Sequence, residues 1–349
     1  MGVRSKIAKR WPVIARLVGK ERAWAEKKRA SAEMRAIKRP RMTYEIDGRE
    51  IGAHPTWFRG DHCNFLPDRE ALAAPGALEK QVGFGWLPEA PFITKADPIT
   101  TFGSCFAEHI AGYLNRAGYL TADNGKSNNS YVIRCGEGMV NSAAIAQQLQ
   151  WAYGNTEFNE PLWYDKGGKE ARYEEDVRRD TRLIFDRSQV FIITLGLSEV
   201  WYNKQTGETF WRAIPKSQFD PARHGFKVLS TAENLANLET AYRLIREHRS
   251  DAAIIFTLSP VPLVATFRPV SCITANSVSK ASLRVAVDEL MRGHSDDRRL
   301  FYFPSYEIIK DVIEDPYAKD FRHVKPEVVS TIMNFFATHY LVDGPAEEL

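Results

Sequence analysis

The chain has 349 residues, of which 44% are hydrophobic and 11% aromatic, so it can bury a large core and is not a disordered protein. It contains no uninterrupted apolar run of about 18 residues, which predicts that no helix spans a membrane. The formal net charge is only +3, but residues 1–41 hold 14 Lys and Arg against 3 Asp and Glu, so the rest of the chain is net acidic.

Residues 1–41 are predicted to form a basic helical arm. Ile7, Trp11 and Ile14 give this segment a partial apolar stripe among its Lys and Arg residues. The pattern favours a surface helix that packs on the folded body, and it leaves attachment to an anionic membrane surface open. We expect no nucleic-acid partner, because aromatic residues are sparse between the charges and no nucleic-acid motif follows.

The cysteine and histidine patterns predict neither a metal nor a cofactor. The four cysteines are far apart, with no CxxC pair, and the eight histidines show no HExxH spacing. No P-loop and no dinucleotide fingerprint is present. Sparse cysteines favour a reducing cytoplasm, and the short apolar run near the N-terminus does not resemble a secretory signal. The predicted location is therefore cytoplasmic, with the arm able to bring the protein to a membrane.

Residues 42–95 are rich in proline, glycine and aromatic residues, which predicts an irregular wrap over the following domain. Trp57 and Trp86 are examples of large apolar side chains in this stretch. So many large apolar groups favour a segment packed on a core over a solvated linker. Such rings can also stack on sugars, although core packing is their commoner use.

From residue 98 onward, apolar strands alternate with helical patterns, which predicts an α/β domain over residues 96–340. Because the strands are continuously apolar, we expect a mostly parallel sheet covered on both faces, as in a three-layer α/β/α sandwich. In such sheets the functional site lies beyond the carboxyl ends of the strands. The predicted strands are 98–102, 190–195, 253–258 and 300–303, and the predicted helices are 105–117, 141–153, 232–248, 277–292 and 326–338.

The first predicted strand ends in a sharp turn that carries two candidate nucleophiles. Gly103 permits the backbone geometry of such a turn, and Ser104 and Cys105 follow at the start of a helix. Free backbone N–H groups at a helix N-terminus favour a thiolate and a developing oxyanion. A serine that only caps the helix, above a buried cysteine, is the structural alternative.

A candidate base lies near the other end of the chain. His323 follows Asp320 by three residues, just ahead of the last predicted helix. A carboxylate at this spacing can accept a hydrogen bond from one ring nitrogen and leave the other nitrogen free to take a proton. We predict that Asp320 and His323 act together, with Arg322 between them pointing outward.

Several separated motifs occur in the order typical of one family. The sequence resembles the GSCFA family, which is grouped with the SGNH or GDSL-like hydrolases, over roughly residues 95–340. This resemblance implies an SGNH-type fold and an acyl-enzyme mechanism. An ungapped match to the Gly-Asp-Ser elbow of SGNH enzymes places Cys105 as the nucleophile, whereas a shift of one residue places Ser104 there. The matching motifs are Gly103–Ala107, Ser259–Leu263, Asn276–Ala281, and Asp320 with His323.

The same resemblance implies where oxyanion donors should lie. Gly196 matches the third SGNH block, and Ser198 stands where that block has asparagine. A hydroxyl can donate, but its direction is less fixed than that of an amide. The second block is matched by Gly136 or Gly138, whose backbone N–H could donate. Asn141 either caps the next helix or donates from its side chain.

The resemblance implies acyl-ester chemistry, as a hydrolase or an O-acyltransferase. We expect an acetyl or similar acyl group on a carbohydrate or another acylated small molecule. The sequence does not separate hydrolysis from transfer, because both proceed through the same acyl-enzyme. The alternative is a catalytically weak SGNH-like protein that uses the cleft to bind glycans, and Ser198 in place of asparagine favours that alternative.

Overall fold

A computed structural model describes residues 64, 66–103, 105–121, 140–158, 160–164, 168, 170 and 174–345, together with Arg29 and the backbone of residues 42–46 and 49–53; at Cys105 it describes the backbone alone. The chain divides into two compact units, Met1–Leu66 and Pro67–Leu349. In the first unit, strands β1 (Met42–Ile46) and β2 (Arg49–Ala53) form an antiparallel hairpin. The helix predicted for residues 1–41 lies outside the described residues, apart from Arg29.

A parallel four-stranded sheet forms the centre of the second unit. Its strand order is β3-β4-β7-β8, and neighbouring strands all run parallel. A separate antiparallel pair, β5 and β6, lies between β4 and β7 in the chain. The strands are β3 (Ile99–Phe102), β4 (Val190–Leu195), β5 (Glu199–Asn203), β6 (His224–Val228), β7 (Ala253–Leu258) and β8 (Leu300–Tyr302).

The helices among the described residues are α1 (Arg69–Ala73), α2 (Cys105–Arg116), α3 (Ser142–Ala152), α4 (Glu175–Arg187), α5 (Thr231–His248), α6 (Cys272–Gly293), α7 (Ser305–Glu307) and α8 (Pro326–Tyr340). The five helices that the apolar periodicity predicts are present, and α1, α4 and α7 are additional. The described residues also contain two π-helical turns, Leu78–Gly83 and Ile308–Val312, and a 3-10 turn at Lys216–Gln218. Among the described residues, no helix has both the length and the apolar character needed to cross a membrane.

The sheet is buried on both faces, which gives the three layers that the continuous apolar strands predict. Along β4, Phe191, Ile193 and Leu195 belong to a core cluster that includes residues of α3 to α6. The alternate residues Val190 and Ile192 belong to a second cluster with residues of α2 and α8. Because successive strand side chains point to opposite faces, one strand supplies both cores. The fold is therefore α/β with a parallel central sheet between helices.

Residues 42–95 differ from the irregular wrap that the sequence predicts. The hairpin of β1 and β2 is regular, and the boundary between the two units falls inside this stretch. The part after the boundary belongs to the second unit and packs on its strand β8. Trp86 contacts Tyr302 edge-on at a centroid distance of 5.3 Å, and Phe92 stacks on Phe301 at 5.1 Å. Trp86 and Phe92 thus pack on the core, whereas Phe84 is 56% exposed.

Candidate active site

The candidate site lies at the carboxyl ends of strands β3, β4 and β7. Phe102 pairs with Ile193, and Leu195 pairs with Leu258, so these three strands end at one edge of the sheet. The segments that follow begin with Gly103, Gly196 and Ser259. Parallel register therefore brings together three motifs that are far apart in the sequence.

Gly103 sits where no other residue fits. Its φ is +135°, and a Cβ there would meet the backbone oxygen of Thr194 and lie 2.7 Å from the Thr194 Cβ. This close approach fixes the turn between β3 and α2 against β4. Cys105 is the first residue of α2, as the sequence predicts. Ser104 and the side chain of Cys105 lie outside the described residues, so their roles stay predictions.

The segment after β4 is joined to the segment before α3. The Gly196 N–H donates to the Val140 carbonyl at 2.6 Å, and the Leu197 N–H points to the same oxygen at a long 3.4 Å. A Cβ on Gly196 would lie 3.0 Å from the Cβ of Val140, which is close for a real side chain. Gly196 and Leu197 both line the cavity described below. Among the described residues, the Leu197 N–H thus has a single, weak acceptor.

Asn141 caps helix α3. Its Oδ1 accepts from the Ala144 N–H at 2.8 Å, which is the cap that its position predicts. The residue is 5% exposed and lines the cavity. Among the described residues, its Nδ2 makes no recorded hydrogen bond. The cap and a donor role are compatible, because they use different atoms of the amide.

Ser198 braces the fold and does not line the cavity. It is fully buried, and its N–H donates to the Ser279 Oγ at 2.6 Å. Its hydroxyl donates to the Ser279 carbonyl at 3.0 Å and accepts from the Asn234 Nδ2 at 3.2 Å. A hydroxyl has one proton, and here that proton is already donated. The structure thus differs from the prediction that Ser198 supplies a hydrogen bond to an oxyanion.

The expected hydrogen bond between Asp320 and His323 is present. The His323 Nδ1 lies 2.5 Å from the Asp320 Oδ2, and the Asp320 Oδ1 accepts from the backbone N–H groups of Arg322 and His323 at 3.1 Å each. The side-chain bond to His323 is the largest of the contributions that lower the pKa of Asp320 to about 2. Asp320 is therefore an ionised acceptor that orients the ring.

Arg322 does not point outward as the sequence predicts. Its Nη1 lies 3.2 Å from the His323 Nε2, and the residue lines the cavity. A guanidinium can only donate, so the His323 Nε2 accepts here. The ring proton is then on Nδ1, which donates a hydrogen bond to Asp320. This is the tautomer that a general base needs. Arg322 occupies the lone pair that would receive the nucleophile's proton.

His109 lies on helix α2, and the charge of His323 affects its pKa. Partial burial lowers the pKa of His109, and the charges of Arg116 and His323 lower it further. Val324, the residue after His323, belongs to the same buried cluster as Phe106 and Ile110 of α2. His109 follows Cys105 by one helical turn. The loop that carries the predicted base and helix α2 therefore border the same core.

A cavity of about 300 Å³ opens at this edge of the sheet. Its lining is mostly apolar, and one wall is aromatic. Trp201 contacts Phe226 at a ring distance of 5.3 Å and Phe267 at 5.0 Å. Charged groups at the lining are Arg212, Arg322 and Glu199, and the Glu199 carboxylate accepts from the Thr266 hydroxyl at 2.8 Å. An apolar cavity with a few polar groups is typical of small-molecule sites.

Some predicted site residues lie outside the described part of the chain. These are Gly136 and Gly138, and their proposed role as backbone donors stays a prediction. Among the described residues, no cluster of three His, Cys, Asp or Glu side chains could hold a metal ion. Sequence reasoning missed Lys280, although the motif that contains it was noticed. Its three partners come from distant segments, so no local pattern indicates its contacts.

Comparisons with known proteins give a family and two similar solved structures. The model of the GSCFA family matches residues 98–336. Among solved structures, the chain is similar to a Streptococcus pneumonia protein whose description names platelet activating factor, with a TM-score of 0.36, 11% identity, and coverage of 69% of this chain and 84% of that chain. It is also similar to a family two carbohydrate esterase from Clostridium thermocellum in complex with cellohexaose, with a TM-score of 0.25, 12% identity, and coverage of 60% and 54%. The search of curated proteins found no significant match.

Proposed function

The chain belongs to the GSCFA family, and we propose that it is an acyl-ester hydrolase or O-acyltransferase that works through a covalent acyl-enzyme. The observation that carries the proposal is the ionised Asp320 bonded to the Nδ1 of His323, in a loop that borders the same core as the helix beginning with Cys105. A nucleophile, a base and an orienting carboxylate are the groups that acyl transfer requires.

In the proposed reaction, the His323 Nε2 takes the proton of the Cys105 thiol or the Ser104 hydroxyl. The freed sulfur or oxygen attacks the ester carbonyl carbon, and the carbonyl π electrons move onto its oxygen. Collapse of this intermediate breaks the bond to the alcohol, which leaves with the proton from His323. Water or an acceptor hydroxyl then repeats these steps on the acyl-enzyme, giving hydrolysis or transfer respectively.

Backbone and amide N–H groups around the cavity are the candidate oxyanion donors. Within the part of the chain that the structure describes, the Leu197 N–H makes one long contact, and Asn141 has an amide nitrogen that the helix cap does not use. Both residues line the cavity. We propose that Asn141 supplies the amide that the segment 196–199 lacks. Such donors act on charge that develops in the transition state.

We propose a carbohydrate or a related polar molecule as the carrier of the acyl group. The aromatic wall formed by Trp201, Phe226 and Phe267 supports this choice, because flat aromatic faces bind the apolar faces of sugar rings. Phe267 is 61% exposed, so part of this wall is available to a ligand. We propose acetyl as the acyl group.

A catalytically weak glycan-binding protein is the second candidate function. The contact between the Arg322 Nη1 and the His323 Nε2 favours it, because that lone pair must be free for proton transfer. The Ser198 hydroxyl also favours this candidate, because its proton is already donated to the Ser279 carbonyl. The two candidates share the cavity and differ in whether an ester bond is broken.

The test measures ester hydrolysis with p-nitrophenyl acetate and with acetylated mono- and oligosaccharides. We expect Cys105→Ala to have almost no activity, Cys105→Ser to keep part of it, and Ser104→Ala to lose about 1 kcal/mol of stability as a cap variant. Activity in Cys105→Ala together with its loss in Ser104→Ala would assign the attack to Ser104. No hydrolysis of any ester by the wild type, with binding of unmodified oligosaccharides, would favour the second candidate.

Alkylation gives a second measurement that needs no substrate. We expect iodoacetamide to modify Cys105 before Cys272, since a nucleophile paired with a base carries thiolate at neutral pH. Cys272 is a matched control, because it also begins a helix and its Sγ donates to the Leu263 carbonyl at 3.6 Å. Equal rates at both cysteines would contradict a special environment at Cys105.

For the basic arm we propose reversible binding to anionic lipid. The full chain should bind phosphatidylserine vesicles more tightly than a chain that lacks residues 1–41, and added salt should weaken the difference through charge screening. Equal binding by the two chains would show that residues 1–41 do not bind the lipid surface.

A further inference from the structure

Lys280 is a fully buried cation that acyl transfer, as described above, does not use. It lies on α6 and is only 1% exposed. Its Nζ donates to the carbonyls of Ser259 at 2.6 Å, Gly196 at 2.7 Å and Val261 at 3.0 Å. An ammonium group has three protons, and each has an acceptor here.

Burial disfavours the Lys280 cation, and its hydrogen bonds offset part of that cost. Burial lowers the pKa of Lys280 to about 7. Among the described residues, the partners of its Nζ are all carbonyls. An apolar side chain would avoid the desolvation but would leave these three carbonyls without this donor. The Lys280 cation therefore makes a link between segments that an apolar residue could not make in this way.

The three acceptors belong to the two segments that form the base of the cavity. Gly196 follows β4, and Ser259 and Val261 follow β7. All three residues line the cavity. The Lys280 Nζ therefore joins α6 to both segments through one atom, on the side of the sheet edge that faces away from solvent.

The bond to Gly196 also sets the direction of the next N–H group. In a trans peptide the C=O and the N–H of one unit point in opposite directions. When the Gly196 carbonyl is held toward Lys280, the Leu197 N–H of the same unit is directed away from Lys280. That N–H is the donor with the long 3.4 Å contact to Val140.

We infer that Lys280 is a positioning residue: it holds the segments after β4 and β7 and so keeps the Leu197 N–H directed to the oxyanion of the acyl-transfer intermediate. This inference rests on the proposed function for its chemical consequence. Its structural part, the fixing of the two segments, can be tested without any substrate.

The test compares Lys280→Met with Arg284→Met. Arg284 lies one turn further along the same helix, donates to Glu307 at 2.8 Å and covers the Tyr302 ring, away from the cavity. Both variants replace a largely buried cation by an apolar chain, so a general loss of stability affects both. Kinetics are measured at pH 6, where Lys280 carries its proton, and amide hydrogen exchange is followed at residues 196–198.

We expect Lys280→Met to lower kcat roughly a hundredfold, the effect of losing one oxyanion donor, with KM within about twofold. We expect faster exchange at Leu197 and Ser198 in this variant only. Arg284→Met should keep kcat within about twofold, since catalysis does not use it. Should Lys280→Met fail to fold, Lys280→Gln, which retains a shorter donor, takes its place and should show the same changes at smaller size.

Two results would overturn the inference. One is unchanged exchange at Leu197 and Ser198 in a folded Lys280 variant. The other is a kcat loss no larger than that of Arg284→Met, or a loss confined to KM. If the wild type hydrolyses none of the esters, the proposed function fails, and the exchange measurement alone then decides whether Lys280 holds the two segments.

Discussion

The two sides of the candidate site are built in different ways. The donor side, residues 196–199 and 259–261, is buried and held by α6 through Lys280 and Ser279. The base side is the loop 315–325, in which the His323 and Asp320 side chains are 58% and 47% exposed. This loop is held mainly by its own backbone bonds and by the Tyr317 hydroxyl, which donates to the Pro260 carbonyl at 2.9 Å.

This difference suggests a division of labour. Oxyanion donors act best when they do not move as charge develops, so a buried and braced segment suits them. A base must exchange protons with the nucleophile, the leaving alcohol and solvent, so an exposed loop suits it. Changes on the base side should therefore alter activity with little effect on folding, and changes on the donor side should alter both.

The largest expected effect is on the base side. His323→Ala should lower kcat/KM about a thousandfold, because no other group takes the nucleophile's proton. The melting temperature should stay close to that of the wild type, since the lost side chain is largely exposed. Ester assays and thermal denaturation on the same sample measure both quantities. A clearly lower melting temperature in His323→Ala would contradict the proposed difference between the two sides.

In the turn between β3 and α2, which packs on β4 of the buried side, Gly103→Ala should lower the free energy of unfolding by about 3 kcal/mol, from the collision with Thr194 and the left-handed backbone. Gly207→Ala is the matched control: its φ is +80°, no atom lies within 4 Å of an added Cβ, and we expect a loss of about 1 kcal/mol. Urea denaturation measures both values. Equal losses of unfolding free energy in the two variants would show that the turn after β3 can accommodate the added Cβ.

Asp320→Asn should lower kcat/KM about a hundredfold, less than the change at His323, because the base remains but loses its anionic partner. Since the pKa of Asp320 is held at about 2, its carboxylate stays ionised above about pH 4. A loss of wild-type activity between about pH 4 and pH 6 therefore comes from another group. An Asn variant with full activity would show that the ring needs no carboxylate.

The smallest effect is expected at Arg322. Arg322→Met frees the His323 Nε2 from a hydrogen bond worth about 1 kcal/mol, so kcat should rise by up to roughly tenfold. Phe321→Ala is a matched control on the same loop, because its ring is 79% exposed and far less constrained by partners. A large fall in kcat in Arg322→Met would instead place its guanidinium on the substrate.

The sequence predicts the sheet well because its strands are continuously apolar. The strands at 190–195 and 253–258 have the predicted bounds, since both faces of each are buried. Helix α4 was missed because only a few of its residues, among them Val177 and Phe185, are apolar and buried, and charged residues fill the rest. The hairpin of β5 and β6 was missed because its strands have no sustained alternation.

The site was predictable where its contacts are local. Asp320 and His323 are three residues apart, so their hydrogen bond follows from spacing. The contact between Arg322 and His323 was predicted wrongly, because it depends on how the loop turns at Phe321, which has a φ of 55°. The partners of Ser198 and Lys280 come from distant segments, and only the assembled sheet brings them together.

The all-parallel sheet also has a consequence for how the protein folds. Phe102 pairs with Ile193, about 90 residues later, and Leu195 pairs with Leu258, about 60 residues later. Pairings of such long range close large loops before they gain contacts, so they form slowly compared with helices. The proposed catalytic groups come from the segments that follow β3, β4 and β8. We therefore expect activity to be the last property to return during refolding, well after helical content has recovered.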